Sequence, residues 1–320
     1  MGNLNASNPQ ISVVMSVYNE ENFIGAAIKS ILIQTYPHFE FIIIDDGSTD
    51  STGEIIKSFN DERIIYKKIE NVIFSKALNV GISVAKYDLI ARMDGDDIAL
   101  PERFEKQISF LKNNPDVKIL SSAYAFFIGD SVTQIYHPFQ EDSEIKRKLN
   151  YQNPLTHPGI MFNKAHAAKY NFYNESLDCF EDVDLWQRMR ADTKFKNLDE
   201  VLILRRLKEN SLTNFEYTKP KEFIEKVFFK NFDRKYYNSD TEADIDYALL
   251  IFRYSSMNEF RKHVFEKYIF FNPKILFLYL WSFISRKNIL EWMKWKIISI
   301  KTFFSTDKKI FENLIKSLND

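Results

Sequence analysis

Residues 94 to 97 read Asp94-Gly95-Asp96-Asp97, three carboxylates placed shortly after the run Tyr87-Asp88-Leu89-Ile90-Ala91. Carboxylates this close repel one another unless a cation or a ring of hydrogen-bond donors sits among them. Hard oxygen ligands suit Mg²⁺ or Mn²⁺, and such an ion suits a diphosphate. The same residues also suit a plainer task, an acidic loop capping the helix that Pro101-Glu102-Arg103-Phe104 opens. A second acidic turn, Asp45-Asp46-Gly47-Ser48-Thr49-Asp50, follows another apolar run. A third pair, Glu181-Asp182, precedes a helix marked by Val183, Trp186 and Met189, where the helix field stabilises negative charge.

Such groups act together only if the backbone brings them to one place. Ile11 to Tyr18 is a continuous β-prone run, the pattern of a strand buried on both faces of a parallel sheet. Phe23, Ile24, Ala27, Ile28, Ile31 and Leu32 then recur at helical spacing. Glu40 to Ile44 is a second buried strand, and its acidic turn leads into a helix over 53–59, which Asp45 or Asp46 could cap. Arg63 to Tyr66 is a short third strand, Ser75 to Ala85 a helix, and Leu89 to Met93 a fourth strand. Alternating strands and helices with acidic groups at strand ends describe a doubly wound α/β sheet. Ligands bind such sheets at the carboxyl ends of the strands, where Tyr18, Asp45, Asp46, Asp94 and Asp96 fall. Beyond the cluster, Pro101 opens a helix closed by Asn113-Asn114-Pro115, Val117–Leu120 and Tyr124–Phe127 read as two strands, and Glu141–Leu149 as a charged helix. Asn153 to Phe162 is a turn feeding a strand, and its His157 is either a pocket-lining residue or a loop residue with a satisfied ring.

Composition bounds the class. The 320 residues, 45% of them hydrophobic, fit one catalytic domain with an appendage and exclude a disordered chain. A formal charge of −1 gives no basic field for nucleic acid. A lone cysteine, Cys179, forms no internal disulfide, which fits a reducing cytoplasm. The polar stretch 1–10 lacks a signal-peptide pattern, and the longest apolar run, Ile275–Ile284, is about half of the roughly 20 residues that span a bilayer.

Val17-Tyr18-Asn19, Asp45-Asp46-Gly47-Ser48-Thr49-Asp50, Ala91-Arg92-Met93-Asp94-Gly95-Asp96-Asp97 and Glu181-Asp182, in this order, resemble the inverting family 2 glycosyltransferases of the GT-A fold. The resemblance covers about residues 11–213. It implies a GT-A sheet, Rossmann-like and mixed, over 11–215; beyond it, the change in composition reads as a mainly helical region over 216–320. It further implies an enzyme that moves a hexosyl or N-acetylhexosaminyl group from a nucleoside-diphosphate sugar, UDP first among the nucleotides, to a glycan or lipid-linked glycan of a bacterial surface.

Carried over residue by residue, the resemblance gives Ser16 and Tyr18 contact with the base. Asp45 or Asp46 would accept from the base's ring nitrogen, and Asp94 would face the ribose. Asp96, with Asp94, would ligate Mg²⁺ or Mn²⁺ in the manner of a DXD motif. Asp182 would be the base that deprotonates the acceptor, with Glu181 as its orienting neighbour; displacement with inversion needs one base opposite the leaving group. His157 and Trp186 are the acceptor-side candidates. The chain departs from the family pattern at Lys208, where members often carry His, and at Tyr87, where they often carry Gly. A charged ammonium cannot ligate a metal but can bind phosphate, so Arg206 and Lys208 are the diphosphate candidates.

The C-terminal third is rich in Phe, Tyr, Ile, Trp and Lys at helical spacing, as in 223–229 and 247–252. Arg286 to Ile298 combines Trp and Lys on an amphipathic pattern, suited either to an anionic membrane surface, as for an enzyme on the inner face of the plasma membrane, or to a core or homodimer contact. The reading from a different class is a non-catalytic nucleotide-sugar- or glycan-binding scaffold that kept the fold.

Overall fold

The nine residues of Phe39 to Gly47 show how sequence becomes site in this chain. Phe39 to Asp45 forms a strand with every side chain buried, and Asp45, its last residue, and Asp46 fall at its carboxyl end. The same logic repeats across a nine-stranded sheet. A computed structural model describes residues 8–177, 179–208, 227, 228, 231–237, 239, 243 and 305–319, with backbone alone for 305–310. The helical runs read over 223–229, 247–252 and 286–298 lie mostly or wholly outside these residues.

In chain order the first elements are β1 (Ile11–Val17), α1 (Ile24–Leu32), β2 (Phe39–Asp45), α2 (Thr52–Ser58), β3 (Ile64–Lys68), α3 (Phe74–Val84) and β4 (Leu89–Asp94). Then come β5 (Ile98–Ala99), α4 (Arg103–Asn113), β6 (Val117–Ile128), β7 (Ser131–Tyr136) and α5 (Asp142–Lys148). A 3-10 turn (His157–Gly159) leads to β8 (Met161–Asn163), α6 (Lys164–Ala168), α7 (Glu181–Met189) and β9 (Lys194–Arg206). The last described helix is α8 (Ser305–Asn319).

The strands lie in the order β3-β2-β1-β4-β8-β6-β9-β5, with β7 on β6. The first four are parallel, and β8 then runs antiparallel to both β4 and β6. The chain therefore leaves β1 in one direction for β2 and returns on its other side as β4, which opens a crevice at the carboxyl ends of β1 and β4. The registers pair Val17 with Asp45 and Ser16 with Asp94, so the ends of all three strands arrive level. This is the mixed α/β sheet that the sequence implied.

Val117–Leu120 and Tyr124–Phe127, read as two strands, are one continuous strand, β6. Ser121 and Ser122 between them are fully buried; the Ser121 hydroxyl accepts from Thr156 N–H at 3.0 Å and the Ser122 hydroxyl donates to the Ala123 carbonyl at 3.0 Å, so satisfied small polar side chains carry the strand through. One apolar cluster joins β1, β2 and β4 to α1 and α4. A second joins Ala26, Ile98, Phe127 and Leu204 to Ile315 and Leu318 of α8, so this helix packs on the sheet although the composition break at 215 groups it with the appendage.

The chain divides into two units, 1–145 with 154–208 and 300–320, and 146–153 with 209–299. In the second, Asn150 and Asp233 exchange hydrogen bonds, Asp233 N–H to Asn150 Oδ1 at 3.0 Å and Asn150 Nδ2 to the Asp233 carbonyl at 3.2 Å. The rings of Phe232 and Tyr237 stack beside them. Among the described residues no helix is long and apolar enough to cross a membrane.

Candidate active site

The turns after β1 and β2 are fastened to each other. Asn19 adopts a left-handed backbone, φ 53°. Its N–H donates to Ser48 Oγ at 3.0 Å and its Oδ1 accepts from Thr49 N–H at 2.8 Å. The next residue, Glu20, donates its N–H to Thr52 Oγ1 at 2.8 Å. Held this way, Tyr18 stands 47% exposed at the mouth of the crevice, while Ser16 is buried at its base.

Asp45 is fully buried and already engaged: Oδ1 accepts from Ser48 N–H at 2.8 Å and Oδ2 from Tyr66 Oη at 2.7 Å. It therefore braces its own turn against β3, and of the two aspartates offered by the sequence it is the more fully engaged. Neither aspartate caps α2; Thr52 N–H is instead met by Asp50 Oδ1 at 3.0 Å. Asp46 accepts from Val72 N–H at 2.8 Å, and burial with the neighbouring Asp45 charge raises its carboxyl above the ordinary range.

After β4, Asp94, Asp96 and Asp97 each present one carboxylate oxygen, and these lie within 4.8 Å of one another. That donor set is hard oxygen throughout and fits Mg²⁺ or Mn²⁺. Each carboxylate also has a basic partner. Asp94 is ion-paired with Arg92, Asp96 Oδ2 lies 2.8 Å from Lys208 Nζ, and Asp97 accepts from Arg206 N–H at 2.8 Å with Arg205 Nε 4.0 Å away. Gly95 lets the turn close: a Cβ there would fall 2.5 Å from Val17 Cγ1. Asp97 is buried, and burial with the charges of Asp96 and Asp94 holds its carboxyl well above the usual range.

Arg206 does not stand open to a diphosphate, as the sequence reading had it. Its guanidinium is wedged between the rings of Phe23 and Phe127, 4.4 Å from each centroid, and its Nε donates to the Asp96 carbonyl at 2.9 Å. The residue is a buried brace between β9 and the acidic turn. Lys208 faces the turn, bonded to both oxygens of Glu20 at 2.7 and 2.9 Å. Glu20, absent from the sequence candidates, is pushed up to about 7 by burial and by Asp96, against the pull of Lys208. Its signal was present only as an acidic residue following Tyr18-Asn19.

Glu181 and Asp182 open α7 after Phe180, whose φ of 58° turns the chain sharply into the helix. Val183 N–H donates to Asp182 Oδ1 at 2.7 Å. His157 Nδ1 lies 3.6 Å from Glu181 Oε1 and 3.8 Å from Asp182 Oδ2, so His157 belongs to this site rather than to a detached loop. Its Nε2 is 2.9 Å from Tyr173 Oη. Burial and Arg92 lower the imidazole well below 6.5, while burial raises the Tyr173 phenol well above 10. We assign the tautomer from this network: Tyr173 donates to Nε2, and Nδ1–H faces the two carboxylates.

Two adjacent carboxylates do not both ionise readily, and Glu181 is pushed up to about 8 by burial and by the charge of Asp182. Trp186 is fully buried beneath His157 and Tyr173, ring centroids 6.5 and 6.4 Å away, and thus supports the His157 ring instead of meeting an acceptor. The loop carrying Tyr173 rests on α3, where Asn79 Nδ2 donates to the Tyr173 carbonyl at 2.9 Å and Tyr173 N–H donates to Asn79 Oδ1 at 3.1 Å.

A second buried guanidinium joins the halves. Arg103 on α4 donates to the Arg92 carbonyl at 2.8 Å and the Ile160 carbonyl at 3.3 Å, and its Nε to Gln107, whose amide reaches the Gly159 carbonyl at 2.9 Å. Burial, helped by Arg92, lowers Arg103 to about 9. One side chain thereby fixes β4 relative to the His157 turn.

A family model described as Glycosyl transferase family 2 matches residues 12–172, half of the 320 residues. The O-antigen biosynthesis glycosyltransferase WbnJ of Escherichia coli is 31% identical over 239 residues, covering 69% of this chain and 92% of that protein. Among solved structures, S. aureus TarS 1–349 in complex with UDP-GlcNAc aligns with a TM-score of 0.62 at 20% identity, over 79% of this chain and 75% of that one. The mannosyltransferase PcManGT from Pyrobaculum calidifontis, in complex with GDP-Man and Mn²⁺, aligns with a TM-score of 0.57 at 13% identity over all of this chain and 89% of its own. The two structures share the fold.

Proposed function

The chain belongs to glycosyl transferase family 2 and is a glycosyltransferase, and we propose that it moves a hexosyl or N-acetylhexosaminyl group, with inversion, from a UDP-sugar to a hydroxyl of a bacterial surface polysaccharide or glycolipid. The names of WbnJ and of the TarS complex support the acceptor class and the donor nucleotide respectively. Residues 11–215 form the catalytic part of this reading.

The observation that carries it is the position of Arg92. This buried guanidinium is ion-paired with Asp94 on the acidic turn and also lies within electrostatic reach of Glu181 and Tyr173. A donor turn and a base that share one counter-charge are close enough to act on one substrate pair. Tyr18 gives the nucleotide base an exposed ring to stack on, and Asp46, the member of its pair with less of its carboxylate engaged, faces the base's ring nitrogen. Asp94 meets the ribose.

Asp96 and Asp94 would hold Mg²⁺ or Mn²⁺, and the ion would supply positive charge to offset that of the leaving diphosphate. Asp182 takes the proton of the acceptor hydroxyl as its oxygen bonds the anomeric carbon. The anomeric carbon–oxygen bond to the diphosphate breaks with its electron pair, leaving UDP. Burial and the charge of Asp182 push Glu181 up to about 8, which favours a single negative charge on the pair. His157 directs its N–H at the pair and orients it.

The test is calorimetric titration of the full chain with UDP, GDP and dTDP, each with Mn²⁺ and with EDTA, followed by release of UDP from UDP-sugars. Tight UDP binding with slow donor hydrolysis is the expected result. Binding of none of the three nucleotides overturns the proposal.

A further inference from the structure

Among the three carboxylates of the acidic turn, Asp96 differs in the kind of partner it keeps. Arg92, paired with Asp94, is 3% exposed within β4, and Asp97 is satisfied by a backbone N–H. The partner of Asp96 is the ammonium of Lys208, at the end of a flexible stem and 24% exposed. That ammonium is shared: it lies 2.8 Å from Asp96 Oδ2, 2.7 Å from Glu20 Oε1 and 2.9 Å from Glu20 Oε2. Its stem runs past the Phe23 ring, with Nζ 5.1 Å from the centroid. The three charged groups come from three distant segments, the turns after β1 and β4 and the stretch after β9.

We propose that Lys208 is a tethered monovalent cation on the Glu20 side of the divalent-ion seat formed by Asp94 and Asp96, so that ion and ammonium compete for Asp96, and that Glu20 belongs to that seat. This rests on the reading of Asp96 as a metal ligand. An ammonium bonds carboxylate oxygens with its three donors and has no lone pair to offer, so it cannot join a metal's shell. It can only compete for the same oxygens, and two cations a few ångström apart repel strongly where water is scarce.

Loading the ion therefore frees the ammonium. The tether keeps it within a side-chain length of the seat, where the nearest strong anion is the diphosphate that the ion brings with it. The lysine shields the empty turn, lowers its affinity for free cations, and transfers to the donor when donor and ion arrive together. Nucleotide and ion then bind with positive coupling, of the size usual for two linked ligands, about 5- to 150-fold.

The experiment is Mn²⁺ binding followed by electron paramagnetic resonance of the free ion, on the full chain, with and without UDP. The variants are Lys208→Met, Lys208→Gln as a second partly exposed replacement, and each of Asp96→Asn and Glu20→Gln in the Lys208→Met background. Both single variants are expected to bind Mn²⁺ in the absence of UDP about tenfold or more tightly than the unaltered chain, and to show a smaller gain on adding UDP. The Asp96→Asn and Glu20→Gln additions reverse that tightening. Equal Mn²⁺ affinity with and without the lysine overturns the competition and leaves the metal site standing. Mn²⁺ binding by none of these proteins, with or without UDP, overturns both.

Discussion

The guanidinium of Arg92 and the carboxylate of Asp94, two residues apart on the same face of β4, form an ion pair whose arginine is almost wholly withdrawn from solvent. Two further donors of that guanidinium, Nε and Nη1, are buried without a hydrogen-bond partner among the described residues. A charge so placed is tolerated because Asp94 balances it. Asp94→Asn leaves the buried Arg92 charge uncompensated and should cost about 3–5 kcal/mol of stability, read by denaturant unfolding. Arg92→Met with Asp94→Asn removes both charges and should recover a large part of that loss; an equal or greater loss in the double variant refutes the pairing.

Asp182→Asn keeps the shape of the base and removes its ability to take a proton. Sugar transfer should fall by about 10²- to 10⁴-fold, while UDP affinity by calorimetry stays within about twofold of the original. Loss of UDP binding comparable to that of Asp96→Ala contradicts the division of roles.

Tyr18 and one of Asp45 and Asp46 were read as base contacts, and Tyr18 and Asp45 are set differently, the ring exposed and the carboxylate buried. Tyr18→Ala removes an exposed ring and should weaken UDP binding by about 1–3 kcal/mol with the melting temperature unchanged. Asp45→Ala strips buried partners from Ser48 N–H and the Tyr66 hydroxyl and should lower the melting temperature as well as UDP affinity. Differential scanning fluorimetry beside calorimetry distinguishes them.

Glu181 gives a pH signature. Its carboxyl is raised from 4.5 to about 8, so the folded chain holds this proton more firmly than the unfolded one, and the group's contribution to stability falls as pH rises from 4.5 to 8. The slope is at most about 1.4 kcal/mol per pH unit. Glu181→Gln has no proton to lose. The melting temperature of the variant minus that of the parent should therefore grow from pH 5 to pH 8 and level off above it; a difference that does not change with pH removes the shift.

Gly95→Ala places a methyl 2.5 Å from Val17 Cγ1. The clash should cost about 1–3 kcal/mol and impair donor hydrolysis. Val17→Ala in the same chain opens the space and should restore much of both, measured by unfolding and by UDP release.

The parallel half of the fold was legible because β1, β2 and β4 are buried on both faces, and their apolar runs stop where the acidic turns begin. β8 was legible only as an unbounded strand fed by a turn, because three residues carry no period. The acidic members of the site stood out by type. Glu20 did not, since its role comes from a lysine far along the chain that no spacing rule connects to it. Arg92, Arg103 and Arg206 were misjudged or passed over because arginine reads as a surface or ligand residue, whereas here one ion pair, a set of backbone carbonyls and two flanking rings hold the three inside. An arginine two positions before an aspartate in a buried strand is a signal that could have drawn attention to Arg92. Trp186, an acceptor-side candidate from the sequence, is likewise held inside, as a floor beneath His157 and Tyr173.

The packing of α8 has a consequence for biosynthesis. Ile315 and Leu318 share an apolar cluster with Phe127, and the ring of Phe127 carries Arg206, which in turn holds the Asp96 carbonyl. During translation the sheet is complete once β9 leaves the ribosome, but the wall behind its acidic turn waits for residues made long afterwards. Until then the nascent sheet exposes an apolar face at Ala26, Ile98 and Leu204, a surface that a chaperone can grip before the chain covers it itself.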